Sequence, residues 1–222
     1  MNGYYSRKLH SLLGVIPLGL FFINHALTNF GAFEGGPARF NAGVKLINDL
    51  PLIFVLEWVV IYLPLIYHGV FGLYMAYQSK PNNGNYQYSR NWRYLFQRIT
   101  GVITFVFIIW HVYETRVQIA LGRVTHEELG NVMHNIMVQP GLFTLYLIGV
   151  ISAAFHFANG LWSFFVSWGI TVGPRAQRVS SYICMTLFVL VSIMLVLAMV
   201  AFRGAEFQAA TGFLDTVKSV FS

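Results

Sequence analysis

Residues 140–168 read PGLFTLYLIGVISAAFHFANGLWSFFVSW, with no Asp, Glu, Lys or Arg among them. The uncharged stretch around this segment extends over residues 129–174. A helix of about 20 apolar residues crosses a bilayer, so the segment is long enough to span one. Pro140 falls in the first turn, where a helix tolerates proline. One residue is out of keeping with lipid: His156, deep in the run. Ionisable groups within membrane segments are costly and point by default to function.

The same pattern recurs along the chain. Residues 9–33, 58–79 and 179–202 also lack all four charged residue types. The chain has 222 residues, 56% hydrophobic, 17% aromatic and 10% charged. A soluble domain carries about a quarter charged residues, so that class is excluded, as is disorder. Apolar segments at about 11–30, 52–78, 97–121, 140–168 and 180–202 predict five spans. No alternating strand pattern recurs, and backbone polar groups must be paired inside lipid, so the spans are expected to be helices. The expected fold is an all-α membrane protein of five transmembrane helices, the first four forming a bundle, in one domain over residues 1–203. Residues 204–222 read as an amphipathic tail along the outer surface, with Phe207, Phe213, Leu214, Val217 and Phe221 as its apolar residues. Asn48 or Asp49 is expected to cap the second helix with Pro51 in its first turn. Pro17 and Pro64 mark kinks within spans. The first apolar run follows Arg7 and Lys8 as a signal peptide would, but no small-residue cleavage pattern follows it, and it reads as retained.

Charge predicts the orientation. Five spans place the N-terminus and the segments 79–98 and 169–179 on one side, with Arg7, Lys8, Lys80, Arg90, Arg93, Arg98, Arg175 and Arg178 and no acidic residue. All eight acids lie on the other side, beside six basic residues. The basic side is expected to be cytoplasmic, with the N-terminus inside and the C-terminus outside. The net charge of +6 does not indicate a nucleic-acid partner, because the cations are divided among short loops and form no continuous basic face. The single cysteine, Cys184, leaves no disulfide, iron–sulfur ligand set or C-x-x-C-H haem attachment within the chain.

Four histidines, His25, His68, His111 and His156, lie one in each of the first four spans; His10, His126 and His134 fall near ends or in loops. At about 1.5 Å per residue, His25 and His111 lie about 20 Å from the basic side, in the outer half, and His68 and His156 about 24 Å from the acidic side, in the inner half. In an up-down-up-down bundle the first and third helices share one diagonal and the second and fourth the other. The depth pairs coincide with those diagonals. With neighbouring axes about 10 Å apart, a diagonal of roughly 14 Å is too wide for two imidazoles to share a bare zinc at about 2.0 Å each. A metal inside a large planar ring bridges the gap more readily. Two b-type haems with two axial histidines each are the economical reading, and with no open iron position they suit electron transfer. Gly69, Gly72, Gly101 and Gly160 either admit a porphyrin face or serve close helix packing.

The stretches RKLHSLLG at 7–14, LPLIYHGVFGLY at 63–74, RNWRYLFQRITG at 90–101, WHVYETR at 110–116, FHFANGLWSF at 155–164 and WGITVGPRAQR at 168–178 closely resemble the five-helix, di-haem cytochrome b subunits of succinate dehydrogenases from Bacillus-type Gram-positive bacteria. The resemblance runs through nearly all of residues 4–182 and is weaker in the last span and tail. It implies that His25 and His111 hold a lower-potential haem b towards the outside, and that His68 and His156 hold a higher-potential one towards the cytoplasm. It also implies flavoprotein and iron–sulfur subunits docked on the cytoplasmic face of the bacterial cell membrane, with menaquinone as electron acceptor. No succinate-oxidising site is expected in this chain, which lacks a G-x-G-x-x-G fingerprint.

A quinone site needs a haem edge, a proton donor and a path from water. Near the outer pair, Glu114 and Glu57 are candidates for quinone protonation; a pair with Arg116 or interfacial solvation is the other reading of Glu114. On the basic side, His10, Ser11 and Arg98 sit where the first and third spans begin. His10 is placed for a haem propionate, a quinone headgroup or interfacial anchoring. Arg98 is suited to a propionate or marks the boundary. Two further readings stay open: a quinol:fumarate reductase subunit working in the opposite direction, and a histidine-lined proton or metal transporter.

Overall fold

The computed structural model describes residues 3–82 and 84–208. Among these residues the chain has no strand. Five helices are long and apolar enough to cross a membrane. They are α1 (Gly3–Asn48), α2 (Ile53–Tyr77), α3 (Ser89–Ala120), α5 (Pro140–Ser167) and α6 (Pro174–Ala201); a short helix, α4 (Leu129–Met137), precedes α5. α1 packs on α2 and α5, and α3 packs on α2 and α5, so α1 faces α3 across one diagonal and α2 faces α5 across the other. α6 packs outside the four, against α1 and α5.

The bundle has an apolar exterior and polar groups within. Leu20, Val106 and Ile193 are exposed, whereas Ser152, Asn159, Ser180 and Ser192 are buried. Along the seam of α5 and α6, Ala154, Ala158 and Cys184 are fully buried. Lipid is as apolar as a side chain and gives no hydrophobic drive for helix association, so small residues that let backbones approach supply the packing. Cys184 is one of them.

The helices overrun the expected spans on the basic side. α1 begins at Gly3, α3 at Ser89 and α6 at Pro174, each well before its apolar segment. Charge content marks the edge of the hydrocarbon layer, whereas a helix can continue into the headgroups, where Arg90, Arg175 and Arg178 are exposed on the opening turns.

The acidic side differs more. Gly35 and Gly36 leave helical geometry, Gly36 with φ +61°, a left-handed conformation that glycine adopts without steric cost. Pro37 then starts a second arm over 37–48, which folds back along the first: a Cβ on Gly43 would lie 3.0 Å from Thr28, and one on Gly31 3.2 Å from Arg39. The expected loop is therefore half of a helical hairpin. Phe40 on this arm meets Phe202 and Phe207, with centroids 5.0 and 6.4 Å apart. Together with Met133, Ile136 and Met137 of α4 they close the acidic end of the bundle. His134, expected in a loop, is buried there, with Nδ1 2.9 Å from the Phe202 carbonyl. Of the expected tail over 204–222, residues 209–222 lie outside the described residues. Phe207 is buried within the cap, and its carbonyl accepts from Asn131 at 3.1 Å.

Neither Asn48 nor Asp49 caps α2, contrary to expectation. Asn48 Nδ2 donates to the Val44 carbonyl at 2.9 Å, Asp49 pairs with Lys45 at 2.9 Å, and α2 starts after Leu52 at φ +57°. Both side chains are engaged by the helix they end. Before Pro64, α2 contains a π-helical segment, Glu57–Tyr62; α3 contains another, Tyr113–Val117. An extra residue in a turn rotates the faces beyond it, a feature frequent at functional sites.

Candidate functional site

The four intramembrane histidines meet across the diagonals. His25 of α1 and His111 of α3 have ring centroids 5.8 Å apart with planes at 77°. His68 of α2 and His156 of α5 have centroids 6.1 Å apart with planes at 85°. The 14 Å diagonal expected between helix axes overstated the gap, because each imidazole projects from its helix toward the bundle centre. Distance therefore does not separate a bare ion from a porphyrin-held one; the number of ligands does. Among the described residues no three or more of His, Cys, Asp and Glu converge on a metal-binding position. Zinc takes at least three protein ligands. Haem iron brings its own equatorial nitrogens and needs only axial ones.

The spacing fits such a metal. Two bonds of about 2.0 Å, plus about 1.1 Å from nitrogen to ring centre on each side, give centroids about 6 Å apart. Three rings are held by Nδ1. That atom lies 2.9 Å from the His10 carbonyl for His68, 3.1 Å from the Gln97 carbonyl for His156, and 3.3 Å from the Tyr146 hydroxyl for His111. A carbonyl only accepts, so His68 carries its proton on Nδ1 and leaves the Nε2 lone pair free for a metal; His156 Nδ1 also lies 3.2 Å from the Gln97 side-chain Nε2, so Gln97 holds that ring from both its backbone and its side chain.

At the inner pair, glycines make room for the rings. A Cβ on Gly14 would overlap the His68 imidazole, and one on Gly101 would lie 2.8 Å from that of His156. Gly72 lies beneath His10, Gly69 receives Phe105, and Gly160 meets the Gln97 amide. Gly101 thus borders a histidine ring, whereas Gly69 and Gly160 serve helix packing. His10 stacks on His68 with centroids 3.9 Å apart and planes within 10°. Arg98 lies over the Tyr94 ring at 4.1 Å. His10 Nδ1, Arg98 Nε and Arg93 Nη2 are buried without a hydrogen-bond partner among the described residues. Unpaired buried donors are costly, and the two anionic propionates of a haem would supply the acceptors they lack. Ser11 is already engaged: its hydroxyl donates to the Lys8 carbonyl at 2.9 Å and accepts from Trp168 Nε1 at 3.0 Å.

Sequence reasoning missed the network behind His156. Asn159 is 1% exposed; its Nδ2 donates to Gln97 Oε1 at 2.6 Å, and its Oδ1 accepts from Arg93 Nε at 2.7 Å. Arg93 also covers Trp162 at 3.8 Å. The signal was present: Asn159 is polar within an apolar run and, three residues after His156, shares its helical face.

At the outer pair the carboxylates take different partners. Tyr146 donates to Glu114 Oε2 at 2.9 Å. Arg116 turns away from Glu114 and pairs with Glu57 at 2.6 Å, with its other terminus 3.0 Å from His126 Nε2. Glu57 opens one π-segment, and Glu114 and Arg116 lie in the other. The widened turn sends Glu114 toward α5 and Arg116 toward α2. Tyr146, one of 12 tyrosines, carried no signal of its own in the sequence.

Residues 77–196 match the family described as Succinate dehydrogenase/Fumarate reductase transmembrane subunit. The chain is also 47% identical over 199 residues to the succinate dehydrogenase cytochrome b558 subunit of Bacillus subtilis (strain 168), covering 90% of this chain and 96% of that one. With a match over more than half its length and close identity over nearly all of it, this chain belongs to the family of succinate dehydrogenase/fumarate reductase transmembrane subunits.

Proposed function

We propose that this chain is the di-haem cytochrome b membrane anchor of a succinate:menaquinone oxidoreductase, set in the bacterial cell membrane with its basic end and N-terminus cytoplasmic and its C-terminus outside. The observation that carries the reading is the pair of facing histidine couples at two depths, with centroids 5.8 and 6.1 Å apart and no third ligating side chain among the described residues. Haem, when bound there, would supply one-electron conduction. The chain's part is to hold it. His25 and His111 present ring nitrogens at the outer level, and His68 and His156 at the inner level; the His10 carbonyl fixes the His68 tautomer, and Gln97 holds the His156 ring at Nδ1. His10 and Arg98 would hold the propionates of the inner haem, a role their unpaired buried nitrogens support. Flavoprotein and iron–sulfur subunits dock on the basic cytoplasmic face, and succinate is oxidised on them rather than on this chain. The relative's name favours succinate oxidation; the kinetics of the co-purifying flavoprotein would reveal fumarate reduction instead.

A reduced-minus-oxidised spectrum with a haem count tests the assignment. Two low-spin haems b per chain are expected. A colourless purified chain would overturn it and return the transporter reading.

Menaquinone is placed near the outer pair, with Glu114 and Glu57 as the carboxylates for its protonation. Their surroundings rank them. Glu57 is already engaged by a guanidinium at 2.6 Å, whereas the partner of Glu114 is a neutral hydroxyl. Quinone reduction is therefore expected to fall further in Glu114→Gln than in Glu57→Gln, by about 10²-fold or more if Glu114 is the proton donor. Wild-type rates and inhibitor binding in both, with failure of Arg98 or His10 variants, would move the site to the inner pair.

A further inference from the structure

The oxygens that meet the histidine Nδ1 atoms are not equivalent. His68 and His156 meet backbone carbonyls, which are neutral. His111 meets the hydroxyl of Tyr146 at 3.3 Å, and that hydroxyl donates its only proton to Glu114 Oε2 at 2.9 Å. With the proton committed, the hydroxyl oxygen faces His111 as an acceptor, and the imidazole lies one hydrogen bond from a carboxyl group. The arrangement is held in place. Tyr146 is 2% exposed, and its ring lies between Phe107 and Trp110, with centroids 5.1 and 4.8 Å away. The inner pair has the opposite surroundings, with Arg98 and Arg93 at its end of the bundle and, among the described residues, no carboxylate as a hydrogen-bond partner.

A carboxylate acting through a hydrogen bond makes a ligating imidazole more basic, and a more basic ligand stabilises the ferric over the ferrous state. We infer that Tyr146 is a positioning residue that relays the negative charge of Glu114 to His111 and so holds the outer haem at a lower potential than the inner one. The inference rests on the histidine pairs being axial ligands, as proposed above. It adds the device that makes the two sites unequal.

Redox titration of the purified, quinone-free complex tests it, with the outer couple identified as the one missing from His111→Ala. Tyr146→Phe keeps the ring packing and removes the hydroxyl. Both haems should remain, and the outer couple should shift upward by about tenfold in its ferric–ferrous equilibrium, which is 59 mV for one electron, with the inner couple unmoved and the outer ferric EPR signal changed. Glu114→Gln should shift the same couple in the same direction, and the double variant should shift no further than Tyr146→Phe alone. If Tyr146→Phe loses the outer haem, Glu114→Gln carries the comparison: an upward shift supports the relay and an unchanged couple overturns it. Unmoved potentials in Tyr146→Phe, or a Glu114→Gln shift that persists undiminished in the Tyr146→Phe background, would show that the charge does not act through the hydroxyl. Fewer than two haems in the wild type would overturn the ligand assignment and this inference with it; two haems with unmoved potentials would overturn the relay alone.

Discussion

Alanine at His25 or at His111 removes the same haem, and alanine at His68 or at His156 removes the other. Each variant is expected to retain one haem b per chain. The reason is the geometry of the diagonals: His25 faces His111 and His68 faces His156, with the two pairs at different depths. Losing one axial nitrogen leaves iron with an open position and the remaining imidazole with little to hold it, so the loss should be close to complete. Spectral haem counts on the four variants, together with the two within-pair double variants, check this. The double variants should lose no more than the singles. Loss that followed sequence neighbours, His25 with His68 or His111 with His156, would contradict the pairing.

Valine at Gly14 or at Gly101 empties the inner site and spares the outer one. A Cβ at either position meets an inner-pair imidazole, overlapping that of His68 or lying 2.8 Å from that of His156. Neither ring can retreat without losing its Nδ1 hydrogen bond to the His10 or Gln97 carbonyl. Overpacking of this kind costs about 1–3 kcal/mol, which is roughly 5- to 140-fold in haem retention at 1.4 kcal/mol per tenfold. Gly141→Ala serves as the control, because among the described residues nothing lies within 4 Å of a Cβ there, and both haems should persist. Equal loss of both haems in Gly14→Val would mean that the glycine supports the whole bundle rather than the inner ring.

Much of the architecture was legible in the sequence because the bilayer reduces it to one dimension. A span needs a certain length without charge, and residues 140–168 satisfied that on inspection. The helix ends were less legible, since Arg90 and Arg93 mark the limit of the hydrocarbon but not of α3. The hairpin at Gly35–Gly36 was hidden for another reason. Outside the membrane the constraint disappears, and the arm over 37–48 is held by Phe40 against Phe202 and Phe207, residues some 160 positions away.

The site divides along the same line. His25, His68, His111 and His156 stood out because an ionisable residue in an apolar span is an exception that needs no alignment to notice. Gln97, Asn159 and Tyr146 did not, since amides, hydroxyls and aromatic rings are common in spans and acquire meaning only from their partners. Glu114 and Arg116 show the difference most clearly. Two residues apart in sequence, they read as possible partners of each other, yet the π-turn at Tyr113–Val117 sends one to Tyr146 and the other to Glu57.

The sequence alone therefore determined the membrane class, the five spans, the separation of charge between the two faces and the depth of each histidine, because length and charge along a helix axis are local properties. The rotation of each helix about that axis was left to the tertiary structure. It decided that the imidazoles approach to within 6.1 Å or less across the diagonals, which oxygen meets each Nδ1, and which carboxylate lies behind His111. Helix rotation follows from π-turns and from packing between residues distant in the chain, which no single segment encodes.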